Sequence, residues 1–387
     1  MNIPRKNLLL IGGGHAHLFV LEALRKQPAA QRAQFDITLL SSELETPYSG
    51  MLPGLVAGHY RTKECHIDLR PLAAAAGVRI LQARVDRIDL TRNRAFSGES
   101  WWPFDVLSID IGSTPPLQGI PGAAQIGIPV KPIERFLQEW RTFEAQVVHL
   151  ARPVHLVMVG GGAGGIELLL AMTHRLQAHR ALVKWSLVSR GALLPGYPRR
   201  AAQLVAARLA KAGIAVRTEC AIACVEPNRL LFDDGSAAAF DQLLWATGSA
   251  PQAWPAAAGL ACTDQGFICV DRHLQSVSHA HVFAAGDIAS DSTQPRPKAG
   301  VFAVRQGPVL ADNLLRALNG TTLRSYTAQR DYLSLLATGG RHAMATWYGL
   351  AWQGGWVWRW KNRIDRSFMR RFSGPFQVSH EPRPPNG

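Results

Sequence analysis

The chain has 387 residues, of which 47% are hydrophobic and 8% aromatic, enough for about two or three domains with buried cores. No stretch reaches the roughly 18 uncharged apolar residues that a membrane-spanning helix needs, and the five cysteines include no C-x-x-C pair typical of a metal knuckle. The formal net charge of +14 directs attention to nucleic acid or an anionic membrane as partners.

The first informative element is a glycine-rich loop between a predicted strand and a predicted helix. The apolar run Leu8–Ile11 leads directly into Gly12–His17, which reads GGGHAH. Strands are predicted at residues 7–12 and 35–40, with a helix at 15–27 between them. In this β-α-β context, backbone N–H groups at the start of the helix and the positive end of its dipole can hold a pyrophosphate.

The next segment is predicted to add strands and then to end the first domain. Val78–Leu81 and Ala83–Ile88 are interpreted as strands, and Phe104–Ile111 runs into the turn Gly112–Pro116. The Pro- and Gly-rich stretch that continues to Pro132 predicts a domain boundary.

A second glycine loop follows about 150 residues after the first. Gly160–Gly165 (GGGAGG) comes after the apolar run Leu156–Val159, and the next strand is predicted at Trp185–Val188. Phe240–Pro251 repeats the pattern of Phe104–Pro115, because both read F-D-x-L, a short apolar run and G-S-x-P. This internal repeat predicts two similar nucleotide-binding domains, and two neighbouring dinucleotides usually exchange a hydride.

The last third of the chain contains a further strand and a further helix. His281–Ile288 is an apolar strand ending in Gly-Asp, and a helix is predicted at residues 300–318. With the two glycine loops and the turn Ala246–Ser249, these elements resemble the flavin-dependent pyridine nucleotide oxidoreductases that have two dinucleotide-binding domains and are related to type II NADH dehydrogenases. The resemblance covers residues 7 to about 345.

Within that family, three segments are most similar to the branch found fused to selenide, water dikinase: Gly12–His17, Tyr48–Gly54 and Ser108–Ser113. The resemblance implies an α/β fold with two Rossmann-like, glutathione-reductase-like domains and a C-terminal α/β segment with an amphipathic helix. The implied order is the first part of an FAD-binding domain at 1–118, an NAD(P)H-binding domain at 119–249, the second part of the FAD-binding domain at 250–325, and an interface or membrane-docking segment at 326–387.

The resemblance also implies which residues hold FAD. Gly12–Gly14 would meet its pyrophosphate and Asp287 its ribityl or phosphate region, while Val85 would lie beside the adenine. The helix N-terminus at Gly300 would face the flavin N1/O2 edge, where oriented N–H groups stabilise the negative charge of the reduced ring. The complete implied set is Gly12, Gly13, Gly14, His15, Ala16, Ser41, Val85, Gly112, Gly286, Asp287, Gly300, Val301 and Phe302.

The second loop would hold NAD(P)H, and the implied set there is Gly160, Gly162, Gly165, Ser189, Arg190 and Gly248. Glu167 occupies a position that in relatives lies near the contact between flavin and nicotinamide. A carboxylate there could orient nicotinamide or relay a proton to an acceptor. The alternative is that Glu167 is a first-turn acid that complements the helix dipole.

The first loop departs from the family pattern in two ways. His17 stands where a third glycine is expected. It and His15 could contact phosphate, but neutral packing is favoured, because the positive end of a helix disfavours an imidazolium. Ser41 stands where an acid is expected for the FAD ribose hydroxyls, and either Ser41 or Glu43 could bind them.

The second unit also lacks the acid expected after its second strand. Ser189 and Arg190 occupy that place. Because no carboxylate repels the ribose 2′-phosphate, and Arg190 could pair with it, NADPH is expected to be accepted. The alternative is that Arg190 is simply solvated.

The cysteines match no thiol relay known in the family: Cys65, Cys220, Cys224, Cys262 and Cys269. The C-x-x-x-x-C pair of disulfide reductases is absent, and no cysteine follows Cys269, although sulfide:quinone reductases need cysteines late in the chain. Electrons are therefore expected to pass from flavin directly to a small, quinone-like acceptor.

The segment from Arg341 to Arg371 contains seven basic residues, five tryptophans and a single acid, Asp365. Its apolar residues recur at steps of three or four and predict one helical stripe: Val357, Trp360, Ile364, Phe368 and Phe372. Tryptophan mixed with arginine is typical of a membrane interface and argues against nucleic acid. Packing on its own domain, or on a second subunit of a homodimer, is the alternative to lipid docking.

The sequence thus predicts a cytoplasmic flavoprotein, peripheral on the inner face of the cell membrane if the tail docks there. It would pass a hydride from NAD(P)H to FAD and then electrons to a quinone-like acceptor, with no metal. Arg5-Lys6 precede only a short apolar run, so no signal peptide is predicted. A non-catalytic NAD(P)H-dependent redox sensor, which would share the same motifs, and a flavoenzyme of selenium or sulfur metabolism are the alternatives.

Overall fold

The computed structural model describes residues 5–117, 119–291, 293, 296–329 and 331–374. The strands before residue 118 are β1 Lys6–Ile11, β2 Phe35–Ser41, β3 Glu45–Pro47, β4 His66–Asp68, β5 Arg79–Gln82, β6 Arg87–Asp89, β7 Arg94–Ser97, β8 Ser100–Pro103 and β9 Val106–Ile109. The helices there are α1 His15–Lys26, α2 Ala29–Arg32, α3 Leu52–Val56, α4 Thr62–Cys65 and α5 Leu69–Ala76.

The middle of the chain forms a second set of elements. Its strands are β10 Ile128–Pro129, β11 Val154–Val159, β12 Val183–Val188, β13 Ile214–Arg217, β14 Ile222–Glu226, β15 Arg229–Phe232, β16 Ala237–Ala239 and β17 Gln242–Trp245. Its helices are α6 Ala123–Ile126, α7 Ile133–Val147, α8 Ala163–Arg175 and α9 Arg199–Lys211.

The last elements return to the first set and then form a separate module. The strands are β18 Ile268–Val270, β19 Val282–Ala284, β20 Ala289–Asp291, β21 Ser334–Ala337, β22 Ala343–Trp347 and β23 Leu350–Gly354. The helices are α10 Trp254–Ala257, α11 Gly300–Asn319 and α12 Gly355–Phe372.

The first unit is built on a parallel sheet with strand order β19-β9-β1-β2-β5. Its central strand β1 is apolar because both of its faces are covered, and Leu8–Ile11 are at most 2% exposed. Helix α1 packs Leu18, Leu21 and Leu24 into the same core, as its periodicity predicts. One expectation is wrong here: residues 83–86 are not in a strand, which begins only at Arg87.

The second unit repeats this plan with the parallel strand order β10-β17-β11-β12-β13. In both units a central strand (β1 or β11) leads into a glycine loop and then into a helix (α1 or α8). The carboxyl ends of parallel strands are where α/β proteins bind dinucleotides. The structure therefore confirms the predicted α/β fold with two Rossmann-like units.

The antiparallel sheet β21-β22-β23 and helix α12 form a C-terminal module. Met369 and Phe372 of α12 belong to the core of the first unit, whereas Leu336 and Met344 of the sheet belong to the core of the second unit. The module thus contacts both units. Among the described residues, no helix combines the length and the apolarity needed to cross a membrane.

Candidate active site

The first glycine loop is closely packed against the end of β9. Gly12 has a φ of +97°, and a Cβ at this position would collide with the carbonyl oxygen of Asp110. A Cβ at Gly14 would collide with the carboxylate of the same residue. Glycine is needed at Gly12 because a side chain has neither the conformation nor the space, and at Gly14 because it has no space.

Asp110 was not among the sequence-predicted site residues, yet it lies at the start of α1. Its Oδ2 accepts the backbone N–H groups of Ala16 at 2.8 Å and His17 at 3.0 Å. Burial raises the pKa of its carboxyl group to about 7, against the opposing effect of these two N–H donors. The internal repeat was the signal that could have found it.

The two histidines of the loop differ in their surroundings. His17 is 1% exposed, with Nδ1 at 2.6 Å from the carbonyl oxygen of Gly12 and Nε2 at 2.8 Å from the hydroxyl of Ser108. Burial lowers its pKa to about 4, so the ring is neutral and packs as expected. His15 has the same lowered pKa of about 4, with burial as the main cause, but its buried Nε2 has no hydrogen-bond partner among the described residues.

Gly112, Ser113, Gly286 and Asp287 converge on this loop from two other segments. Asp287 Oδ2 accepts hydrogen bonds from the Ser113 hydroxyl at 2.9 Å and from Lys131 Nζ at 2.8 Å. Burial raises the pKa of Asp287, but the charge and hydrogen bond of Lys131 outweigh it, so the net shift is downward. Lys131 is a site residue that sequence reasoning missed, since nothing in its local sequence marks it.

The N-terminus of α11 lies beside the same loop. A Cβ at Gly300 would lie 3.4 Å from the Ser49 hydroxyl and 3.9 Å from His15 Nδ1. Val301 is half-buried and Phe302 is buried. The starts of α1 and α11 therefore converge, and two helix dipoles present their positive ends to one place.

Ser41 and Val85 lie on the side of β2. Ser41 is 5% exposed, and its Oγ would be 3.0 Å from a Cβ at Gly13, so it adjoins the loop. Val85 is also buried and lies between β5 and β6. Glu43, the alternative ribose ligand, is exposed.

The second glycine loop has the same backbone plan with more open surroundings. Gly160 has a φ of +128°, and its Cβ would lie 2.6 Å from the carbonyl oxygen of Ala246. A Cβ at Gly165 would collide with the Gly160 carbonyl, which keeps α8 close to β11. In contrast, no described atom lies within 4 Å of a Cβ at Gly162 or Gly164.

Three more predicted residues border this second loop. The Oγ of Ser189, a buried residue at the end of β12, would be 2.5 Å from a Cβ at Gly161. Arg190 is exposed beside it. Gly248 has a φ of +42° and faces Pro116, whose Cγ would be 3.5 Å from its Cβ.

Glu167 lies in the second turn of α8, so its interpretation as a first-turn acid is wrong. Its Oε1 accepts the backbone N–H of Ala337 in β21 at 2.7 Å. Burial raises the pKa of its carboxyl group to about 7, opposed mainly by the charge of Lys361. Such a carboxyl group can hold or release a proton near neutral pH.

Two charged residues of α12, Lys361 and Asp365, lie between Glu167 and the segment that precedes α3. Lys361 Nζ donates to the carbonyl oxygen of Gly50 at 2.6 Å and to Asp365 Oδ2 at 2.7 Å. The two residues are only 7% and 4% exposed. Asp365 also faces the Tyr48 hydroxyl, and together with burial it raises the pKa of that phenol.

The ring of Tyr48 completes the connection to the first loop. It stacks on Phe368 with ring centroids 4.4 Å apart and meets His15 edge-on at 5.5 Å. The buried Lys361–Asp365 pair thus lies between the partly buried Tyr48 and His15 on one side and the partly buried Glu167, whose carboxyl group feels the charge of Lys361, on the other. We call these five residues the interunit polar cluster.

The predicted apolar stripe lies on a helix, α12, but it coincides only in part with the buried face of that helix. The buried face runs through Val357, Lys361, Asp365, Met369 and Phe372. Ile364, a member of the predicted apolar stripe, is 40% exposed. The apolar pattern misled the prediction because two charged residues are buried as a pair, which an apolar periodicity cannot detect.

All five cysteines, which lie in the described part of the chain, are free. Cys65 is buried, and burial raises the pKa of its thiol to about 12. A thiol in this state is a poor nucleophile, because the thiolate is the reactive form.

Two parallel sheets with a glycine loop at the end of a central strand define the class: an α/β protein with two dinucleotide-binding units. The family model described as pyridine nucleotide-disulphide oxidoreductase matches residues 6–307, and the chain belongs to this family. It is therefore an oxidoreductase with FAD and a pyridine nucleotide as cofactors.

Similar proteins match most of the chain. Demethylphylloquinone reductase NdbB of Synechocystis sp. is 25% identical over 338 residues, which cover 84% of this chain and 82% of the relative. The type II NADH:quinone oxidoreductase of Staphylococcus epidermidis is 23% identical over 350 residues, with 83% and 85% covered.

Solved structures show the same fold. The sulfide:quinone oxidoreductase from Aquifex aeolicus has a TM-score of 0.80 at 17% identity and covers 97% of this chain and 93% of its own. NDH2 from Plasmodium falciparum, in complex with NADH, has a TM-score of 0.76 at 15% identity, with 97% and 100% covered.

Proposed function

We propose that this protein is an NAD(P)H:quinone oxidoreductase in which FAD receives a hydride and a quinone receives the electrons without a cysteine relay. The interunit polar cluster carries the proposal, because it includes a carboxyl group that can be protonated near neutral pH, that of Glu167, in the helix that follows the second loop. The relatives named above, a demethylphylloquinone reductase and a type II NADH:quinone oxidoreductase, support it.

The residues of the first unit fit FAD. The first loop has two glycines, Gly12 and Gly14, at which a Cβ would collide with Asp110. The N-termini of α1 and α11 converge there, and His15 Nε2 has no hydrogen-bond partner among the described residues. Together they provide a close backbone approach and unused polar groups. When bound, FAD supplies two-electron chemistry between a nicotinamide and an acceptor. We assign the implied FAD set to this cradle and the implied NAD(P)H set to the open loop at Gly162.

Quinone reduction consumes two electrons and two protons, so NAD(P)H and one further proton are needed for each quinol formed. Glu167 is suited to supply that proton. Its Oε1 is fixed by the N–H of Ala337 at 2.7 Å, which leaves Oε2 as the atom that can carry the proton. With a pKa of about 7, it can be protonated again from solvent after each turnover.

Lys361 and Asp365 hold the cluster in place. Their ion pair is neutral overall, which limits the cost of burying it, and Lys361 also ties α12 to the carbonyl of Gly50. The Lys361 ammonium near Glu167 stabilises the carboxylate left after proton transfer.

A thiol relay is not part of the proposal. Cys65, the cysteine closest in sequence to the Tyr48–Gly54 segment, is buried with a pKa of about 12. None of the five thiols in the described residues is paired in a disulfide. Reduced flavin would therefore pass its electrons to the quinone directly.

NADPH is expected to be accepted as well as NADH. Arg190 follows the second strand of the second unit, is exposed, and forms no ion pair in the described parts of the chain. An unpaired guanidinium at this place can bind a ribose 2′-phosphate through charge-assisted hydrogen bonds. A carboxylate, which would repel NADPH, is absent from the equivalent position Ser189.

The outer face of α12 fits an anionic lipid surface. Trp356 is 51% exposed and stacks on Trp360, with ring centroids 6.4 Å apart. Arg359 and Arg363 are exposed beside them. The inner face is fixed to the protein, for Arg371 pairs with Glu22 at 2.6 Å. The helix would thus lie on the membrane while remaining docked on its own fold.

The hairpin before α12 adds to the same surface. Trp347, Tyr348 and Leu350 are 48%, 71% and 65% exposed. Peripheral binding through this face would bring the acceptor site near a membrane quinone pool. The domain boundaries, a homodimer and the specific likeness to the branch fused to selenide, water dikinase stay predictions from the sequence.

The test is steady-state oxidation of NADH and NADPH by the FAD-loaded protein with a panel of quinones, disulfides and oxygen. Multiple turnovers with menadione or ubiquinone, and none with disulfides, are the expected result. One stoichiometric reduction without turnover would instead indicate a redox sensor.

A further inference from the structure

Asp110, which directly follows β9, packs against the first glycine loop. A Cβ at Gly12 or Gly14 would collide with Asp110, and a Cβ at Gly286 would lie 2.6 Å from Asp110 Oδ1. Two glycines that the sequence assigned to FAD, Gly14 and Gly286, therefore flank the Asp110 carboxylate, and Gly12 adjoins the backbone of the same residue. Asp110 is only 2% exposed.

This carboxylate occupies the donors that a helix offers to an anion. Asp110 Oδ2 accepts the N–H groups of Ala16 and His17 in the first turn of α1, at 2.8 and 3.0 Å. Free N–H groups and the positive dipole end at such a terminus are what attract a pyrophosphate. In this protein a negative charge is already present at that end of α1.

The second unit provides an internal control. In the repeat, Asp105 corresponds to Asp241, and both accept a backbone N–H of the neighbouring central strand, at 2.6 and 2.8 Å. Five residues further on, Asp110 corresponds to Ala246. A glycine loop of this kind therefore forms without the buried carboxylate, so Asp110 is not required for the loop conformation itself.

Neighbouring cations do not neutralise Asp110. Lys131 is engaged by Asp287 at 2.8 Å. Lys298 donates to the carbonyl of Ala289 and lies over the Phe267 ring, 4.0 Å from its centroid.

The remaining titratable groups around Asp110 give no compensating charge either. His15 and His17 have pKa values lowered to about 4, so both are neutral at physiological pH. Asp287 adds a second negative charge that raises the pKa of Asp110 further.

We propose that Asp110 couples FAD binding to proton uptake: the carboxyl group at the start of α1 takes up a proton when the FAD pyrophosphate binds at the same helix end. The inference rests on FAD occupying the first unit. Two negative groups that share a buried site cannot both remain charged without a large penalty, so the one that can be protonated is. A protonated Asp110 keeps one oxygen to accept the two N–H groups and gains an O–H that can donate.

The direction of the pH dependence follows from linkage. Without FAD, burial holds the pKa of Asp110 at about 7, and the bound anion raises it further. Below about pH 7 the group is already protonated, so the affinity for FAD is at its full value. Above that pH the affinity falls by up to about tenfold per pH unit, until the pKa of the FAD-bound form is reached.

The experiment is an FAD titration of the apoprotein between about pH 6.5 and 8.5, followed by flavin fluorescence. We expect Kd to rise about tenfold or more over this range for the natural protein and to change by less than about twofold for Asp110→Asn. Calorimetry at about pH 8 in two buffers of different ionisation enthalpy should detect uptake of up to one proton. A flat Kd and no proton uptake would overturn the proposal.

Lys298 requires a matched control, because burial lowers its pKa to about 8 and its loss of charge would also weaken anion binding. Lys298→Met should keep the pH dependence that Asp110→Asn loses, and the reverse pattern would refute the role of Asp110. If Asp110→Asn does not fold, the proton count on Lys298→Met still decides, because that variant lacks the other group that could take up a proton at this pH. Absence of FAD binding at every pH would contradict the cofactor assignment itself, whereas binding with a flat pH profile contradicts only this inference.

Discussion

The two glycine loops share a backbone plan and differ in what surrounds them. The first is enclosed by polar side chains: Asp110 caps α1, and His17 bridges the Gly12 carbonyl and Ser108. The second has apolar or absent side chains at the matching positions, with Ala246 and Gly165, and Gly162 is open. An enclosed loop suits a cofactor that stays bound, whereas an open loop suits a nucleotide that exchanges at every turnover.

The largest expected effect tests whether the loops hold different nucleotides. Gly12→Ala would collide with the Asp110 carbonyl and should weaken FAD binding by more than about 100-fold. Gly160→Ala, the matched change, should keep FAD and instead abolish reduction of the flavin by NADH. The measurements are the visible spectrum and anaerobic titration with NADH, with Gly164→Ala as a control that should keep both. Loss of FAD from the Gly160 variant alone would reverse the assignment.

The second-largest expected effect separates the two half-reactions, reduction of the flavin by NADH and reduction of the quinone. Glu167→Gln should lower quinone reduction by about 100-fold, because no proton is supplied, while NADH still reduces the flavin at the normal rate. In the natural protein, quinone reduction should decline as pH rises through about 7, since the protonated carboxyl is then lost. The variant should show a flat profile. Stopped-flow measurement of the two half-reactions checks this, and equal losses in both would refute a role confined to the acceptor step.

A smaller effect concerns the face of α12 that lies outside both loops. Arg359→Gln with Arg363→Gln should weaken binding to anionic liposomes by about 30-fold, since each arginine near the surface contributes about 1 kcal/mol. Arg199→Gln with Arg200→Gln removes the same charge from the exposed start of α9 and should have little effect. Cosedimentation at low and high salt measures both. Equal losses in the two double variants would indicate a general charge effect without a docking face.

The smallest expected effect tests whether Arg190, beside the second glycine loop, contributes to NADPH binding. Arg190→Ala should raise KM for NADPH by about tenfold, the value of one charge-assisted contact, and leave KM for NADH within about twofold. Arg200→Ala is the control, because it removes an exposed arginine elsewhere in the second unit. An unchanged ratio of the two KM values would mean that Arg190 is only solvated.

Much of this comparison could be predicted from the sequence. The β-α-β periodicity gave β1, α1 and β2 within one or two residues, because buried parallel strands and amphipathic helices have clear local patterns. The glycine loops were found because they stand between a predicted strand and a predicted helix, where positive φ angles and close backbone approach restrict the residue type. The role of Gly286 and Asp287 was implied by the family resemblance.

The rest depends on contacts between distant segments. Lys361 and Asp365 form a buried pair inside a helix that otherwise reads as amphipathic, and Lys131 reaches Asp287 across 156 residues of sequence. No local pattern predicts which charged residues are buried in pairs. Asp110 is intermediate between the residues that a local pattern predicts and those that depend on distant contacts. It has no local signal, but a position-by-position comparison of the two halves of the internal repeat reveals it.

The most direct measurement is an anaerobic two-step reaction of the yellow, FAD-loaded protein. Addition of NADH should bleach the flavin, and subsequent addition of menadione should restore its colour within the time of one turnover, without any thiol reagent affecting either step. A flavin that NADH cannot bleach, or that stays bleached after the quinone is added, would contradict the account.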